Sequence, residues 1–394
     1  MDTPPTRHFG MDWLRIGAFQ LLILYHVGMA FVPWDYQVKV VNPAVAWTTI
    51  PMLLTNPWRL SLLFVVSGYS SAALFARQES SLAFVRSRLA RLGIPLLFGM
   101  AVVVVPQPWV WLVTHFNYIH DFGYFVLHDY YCFQSIHGVA MPTWMHLWFV
   151  VYLLAYTLLL AGLTTLPASW RRVASAAAEH VLAGPLLLPV GIAWTYAARA
   201  YLSPGWEDSH VFIGDWSAHA TYLPAFLFGY LLRGSKALAS AIDRWWAIAA
   251  ITAIAGWVVL AGAEIVWPGD ARLPNWMWPV YHAARCIEAW GAIVALIGLA
   301  DRYWNIDSRW RPMLAEAVFP FYLIHQTIII VVGYWLLQTD TGPLARFVLL
   351  VVATIAGCWA FYLFGRKVGW LRPLIGLRYA QRYAANLEAF DLPK

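Results

Sequence analysis

Charge is scarce in this 394-residue sequence. It has 26 Lys and Arg against 20 Asp and Glu, 12% of the chain, about half the share a soluble chain carries. Cysteine is scarcer. Cys132, Cys286 and Cys358 are odd in number and form no CxxC pair, so neither a disulfide framework nor a zinc signature is present. No HExxH run or clustered carboxylate set marks a metal site, and no histidines are paired along the same helices as a cytochrome would need. Low-complexity runs and soluble-type repeats are missing too. The net charge of +6 does not indicate a nucleic-acid surface, because the basic residues sit in short loops between apolar runs and read as topology determinants.

What remains is apolar and aromatic. The chain is 61% hydrophobic, with 24 Trp, 20 Tyr and 21 Phe, as expected of spans flanked by aromatic belts. Its mean hydropathy is +0.60. Segments of about 20 residues, the length that crosses a bilayer, recur at 11–33, 48–76, 92–113, 144–163, 181–201, 218–233, 246–266, 279–300, 315–337 and 344–365. The fold class is therefore all-α: a polytopic membrane protein with about ten transmembrane helices. The sixth segment is short, and prolines 106, 108, 185 and 189 kink the third and fifth. The first is too long for a cleaved leader and has no small-residue cleavage site. One set of loops holds Arg77, Arg86, Arg88, Arg91, Arg171, Arg172, Arg233, Lys236, Arg244, Arg302, Arg309 and Arg311. The opposite set holds little beyond Lys39 and Arg272, so both termini are expected in the cytoplasm. The outer side then carries 202–217, 267–278 and the long aromatic connection 114–143, a lid or binding surface. The stretch 164–180 reads as a linker. Residues 1–365 read as one integral-membrane domain and 366–394 as a basic, amphipathic cytoplasmic tail on the membrane surface, with no soluble domain after it.

Ionisable groups are costly in hydrocarbon and mark interior sites. The first segment carries Asp12, Arg15 and His26. Eleven steps of ~100° return His26 to within ~20° of Arg15, about 16 Å further along the helix. A lone His26 is often only a satisfied hydrogen-bonding group. The shared face, and Asp12 three residues before Arg15 and placed to orient it, favour a general base taking a proton from a hydroxyl. Arg59 either snorkels to the outer interface or contacts an anion or carbonyl in the bundle. Ser67 and Gly68 form a small pair that lets helices approach. Arg86, Arg88 and Arg91 either anchor the cytoplasmic face or clamp phosphates of a nucleotide-bearing donor such as acyl-CoA. His146 opens the fourth segment and His325 lies in the ninth. Arg285 and Glu288, three apart, are expected to pair, and Glu316 to be interfacial.

These residues fall into a pattern. It comprises Asp12-x-x-Arg15-x10-His26, Arg59 ahead of Phe64-Val-Val-Ser67-Gly68-Tyr69, and Arg86-x-Arg88-x-x-Arg91-x-x-Ile94-Pro95. His146-Leu-Trp148-Phe149, Tyr222-Leu-Pro224-x-Phe226-x-x-Gly229 and Phe321-Tyr322-Leu-Ile-His325 follow in order. Along nearly its whole length the chain resembles the acyltransferase-3 family of bacterial integral-membrane O-acyltransferases, most of all the branch that succinylates periplasmic glucans. The resemblance implies transfer of an acetyl or succinyl group from cytoplasmic acyl-CoA, a donor substrate and not a resident cofactor, to a sugar hydroxyl, in the inner membrane. It implies that His26 is essential, that Arg15 accompanies it, and that Arg86 and Arg88 matter for activity. Many members carry an extra periplasmic SGNH-type domain, for which this sequence has no room, so transfer by one component or help from a separate protein is expected.

In the mechanism this implies, CoA phosphates dock near Arg86, Arg88 and Arg91, the pantetheine arm passes Arg15, and the thioester reaches His26. Arg59 or His146 stabilises the oxyanion, and both direct attack and an acyl-His26 intermediate stay open. The rival reading is a transporter of a glycan, lipid or small molecule, but no matching pair of Gly/Pro-interrupted helices marks two related halves. A scaffold gives no reason for Arg15 and His26 to share a face.

Overall fold

Helices fall on all ten apolar segments. The computed structural model describes residues 8–378 apart from 42–45, 204, 205, 207 and 270. The longer helices are α1 (Phe9–Met29), α2 (Arg59–Phe75), α3 (Ser81–Val103), α4 (Pro106–Phe116), α5 (Trp148–Leu163) and α6 (Ala168–Leu182). There follow α7 (Leu187–Leu202), α8 (Trp216–Gly234), α9 (Lys236–Val266), α10 (Met277–Tyr303), α11 (Arg311–Leu336) and α12 (Pro343–Lys367). Proline opens α4 and α12, where its missing N–H costs nothing. Asp215 and Ser235 cap α8 and α9 by accepting from the amides of Ala218 and Leu238.

The count of ten crossings is not reached on length and apolarity alone. Among the described residues five helices pass, and up to seven if two bent pairs each count as one span. Polar groups such as Asp12, Arg15, Gln20 and His26 dilute α1, and α2 has only 17 residues. The expected proline bends are present, and two other local expectations, the linker and the short sixth segment, change. The third segment does break, by 46° ahead of Pro106, and also carries π-helical turns at Leu89–Gly93 and Gly99–Val103. The fifth begins only at Leu187, after a 105° bend, and the supposed linker before it is largely the helix α6. The sixth, α8, runs to 19 residues. Both chain ends lie outside the described residues, including 379–394 of the basic tail.

The chain divides into two compact units. The first comprises Met1–Tyr25, Val45–Val85 and Ala155–Ala315. Within it α9 packs along α10, α7 also meets α10, and α2 packs along α8. A Cβ on Gly68 of α2 would collide with the carbonyl of Phe226, and one on Gly229 of α8 with the carbonyl of Val65. The two glycines thus let the backbones touch, as small residues do between membrane helices.

The second unit comprises His26–Ala44, Arg86–Leu154 and Glu316–Lys394. Its long connection between α4 and α5 is folded rather than loose. It carries a hairpin, β1 (Ser135–Ile136) against β2 (Val139–Ala140), turned by His137 and Gly138 at φ 47° and 82°. Val105, Leu112, Phe125, Tyr130 and Met141 form a core beneath it. Beyond α1 the chain turns back, and the Lys39 ammonium donates to the carbonyls of Met29, Val32 and Trp34, closing the helix end. Glu316 accepts from Tyr362 and pairs with Arg366 at 3.3 Å, at the ends of α11 and α12.

Candidate active site

Three histidines distant in sequence meet inside the second unit. His26, in the last turn of α1, is half-buried, whereas His325 of α11 is fully buried and His146, just before α5, is 7% exposed. His26 Nδ1 lies 2.9 Å from His325 Nε2, with the rings stacked 5.1 Å apart. His146 stands edge-on to His325 at 5.2 Å.

Hydrogen bonding sets the protonation pattern. His325 Nδ1 lies 2.7 Å from the Tyr322 carbonyl, which only accepts, so Nδ1 carries the proton and Nε2 the lone pair. His26 Nδ1 must then donate to His325 Nε2, which leaves the basic lone pair of a neutral His26 on Nε2. His146 is constrained in the opposite sense. Its Nε2 faces the carbonyls of Tyr322 and Leu323 at 3.2 Å and donates, so Nδ1 accepts from the Gln107 amide. Gln107 also donates to Thr327 at 2.8 Å, and Thr327 to the Val103 carbonyl at 2.7 Å. The network ties the His325 turn of α11 to the break between α3 and α4. Among the described residues no three His, Cys, Asp or Glu side chains converge as metal ligands.

The other polar residues of α1 belong to the first unit. Asp12 pairs with Arg311 at 2.7 Å, and Arg311 also holds Asp307. The Asp12 partner thus comes from the start of α11 rather than only from the neighbouring turn. Arg15 Nη2 reaches the Ala315 carbonyl at 3.4 Å. Arg59 does not snorkel. It is 7% exposed, lies 3.3 Å from the Tyr25 ring centroid, and donates to the Asn56 carbonyl. The expected Arg285–Glu288 pair does not form. Arg285 Nη2 donates to Asn56 Oδ1 at 2.9 Å, and both Glu288 carboxylate oxygens are buried without a hydrogen-bond partner.

A second buried knot in that unit joins α7 and α8 to the segment between them. Asp208 accepts from Arg199 at 3.2 Å and from Tyr222 at 2.6 Å. Burial alone would raise the Asp208 carboxyl, but Arg199 and Tyr222 more than offset it and hold it below its ordinary range. Ser67 is half-buried on α2 and its carbonyl accepts from Ser71. Arg86 and Arg91 are exposed and Arg88 is half-buried, along the first turns of α3.

The model of the acyltransferase domain matches residues 8–363, nearly the whole chain. The chain belongs to the acyltransferase-3 family. It is an acyltransferase, and its long apolar helices make it a multi-pass membrane protein. It is similar to glucans biosynthesis protein C of Escherichia coli O139:H28, 21% identical over 347 residues, covering 84% of this chain and 85% of the relative. The Salmonella schwarzengrund protein of the same name is 22% identical over 359 residues, 88% of each chain. No solved structure matches it significantly.

His26 and His325 stand out in the sequence as polar residues in apolar runs. Gln107 was missed although the same signal, a lone amide between two prolines of a span, is present. Thr327 gives no such signal.

Proposed function

We propose that this acyltransferase moves a short acyl group, acetyl or succinyl, from cytoplasmic acyl-CoA to a hydroxyl of a periplasmic or cell-envelope glycan, in the bacterial inner membrane. The observation that carries this reading is the relay from the Tyr322 carbonyl through His325 to His26, which leaves the lone pair of His26 on Nε2. An acceptor hydroxyl gives its proton to that nitrogen. Its oxygen bonds to the thioester carbonyl carbon, the carbon–sulfur bond breaks, and the departing CoA thiolate takes up a proton. General-base help of this kind contributes about 10²–10⁴-fold in rate. His325 positions His26, and His146 with Gln107 positions the turn that carries His325.

Support for a glycan acceptor comes from the name of the similar proteins, glucans biosynthesis protein C. For the donor, Arg86 and Arg91 are exposed on the helix that leads from the arginine cluster into the bundle, and guanidinium forks suit phosphates. Mass spectrometry of periplasmic and envelope glycans from the host, with and without this gene, tests the reading. A succinyl or acetyl ester is expected to disappear with the gene, and an unchanged ester pattern would remove the glycan as acceptor.

A further inference from the structure

We infer that Arg59 and Arg285, in the first unit, form a binding site for an oxyanion group, carboxylate or phosphate, borne by a ligand. Both guanidinium groups converge on one residue. Arg59 Nη1 donates to the Asn56 carbonyl at 3.1 Å, and Arg285 Nη2 to the Asn56 side-chain oxygen at 2.9 Å. Asn56 in turn donates to the Tyr25 hydroxyl at 2.6 Å, and the Tyr25 ring lies under the Arg59 guanidinium. This framework fixes the direction of two cations with neutral groups alone. Among the described residues no ion pair reaches either arginine.

Of the described carboxylates, neither Asp208 nor Glu288 pairs with these arginines. Asp208 is taken by Arg199 and Tyr222. Glu288, one turn beyond Arg285, is buried and makes no hydrogen bond. Arg59 is 7% exposed and its Nε has no hydrogen-bond partner. No carboxylate among the described residues lies within ion-pair distance of either guanidinium, and each has N–H donors beyond those bound to Asn56. A planar carboxylate or a phosphate supplies both the charge and paired acceptors. Asn56-Pro57-Trp58 lead directly into Arg59, the first residue of α2.

This site does not depend on the transfer chemistry assigned to His26. The test is thermal unfolding of the full chain in detergent, followed by tryptophan fluorescence, with sodium succinate, inorganic phosphate or chloride at matched ionic strength. A saturable rise in midpoint over chloride is expected. A rise with succinate alone identifies a carboxylate ligand, and a rise with phosphate alone a phosphate ligand. Arg285→Gln, at a half-buried position, is expected to weaken that response roughly tenfold or more, Arg59→Lys to retain part of it, and His26→Ala to leave it intact. No rise over chloride in the unmodified protein overturns the site, as does an unchanged response in both Arg285→Gln and Arg59→Gln.

Discussion

In the proposed relay His325 acts through a proton it never gives away. Its Nδ1–H is committed to the Tyr322 carbonyl, so its Nε2 accepts only and dictates which nitrogen of His26 is basic. Losing the partner that fixes the tautomer of a general-base histidine lowers turnover by up to about 10⁴-fold. His325→Ala is therefore expected to lower turnover by up to that factor with the donor KM unchanged, and to move the acid limb of the pH–rate profile. His325→Gln, whose amide oxygen still accepts from His26, is expected to recover part of the rate and restore the limb. Steady-state kinetics in membrane vesicles decide it, and an Ala variant with the unmodified rate and profile takes His325 out of the relay.

Elements are set by where backbones must touch and where they must break. Gly68 of α2 and Gly229 of α8 each face a carbonyl of the other helix, and neither carbonyl can move without bending a helix. Overpacking costs about 1–3 kcal/mol even where side chains give way. Gly68→Leu and Gly229→Leu should thus lower the thermal midpoint in detergent markedly. Gly162→Ala, where a Cβ meets nothing within 4 Å, should leave it nearly unchanged; equal midpoints for all three variants would contradict the packing. Gly68 was legible as a small residue in an apolar run, and its partner Phe226 was not. The same limit explains Asp12. Its local neighbour Arg15 was in view, but Arg311, 299 residues away, also holds it. Arg285 likewise prefers Asn56, 229 residues distant, to Glu288 one turn along. The helix α6 was missed for another reason. Its Ala-rich sequence is a good helix former, but low hydropathy made it read as a linker beside long apolar spans.

At the scale of the molecule, apolar run length gave the all-α membrane class and short ordered motifs carried the resemblance to the family, because both properties are local in sequence. The division into two units and the meeting of His26, His146 and His325 depend on long-range packing, which composition does not encode. Cys132 is exposed in the connection between α4 and α5, whereas Cys286 and Cys358 are buried. On the positive-inside expectation that connection lies outside. A membrane-impermeant maleimide is accordingly expected to label Cys132 in spheroplasts, with labelling lost in Cys132→Ser; labelling only after the membrane is opened would invert the orientation. The central claim is that His26 Nε2 receives the acceptor proton. The most direct measurement is acyl transfer from labelled acyl-CoA to extracted host glycan in membranes carrying His26→Ala at matched protein level. Transfer should fall about 10²–10⁴-fold with donor binding retained, and transfer at the unmodified rate would contradict the account.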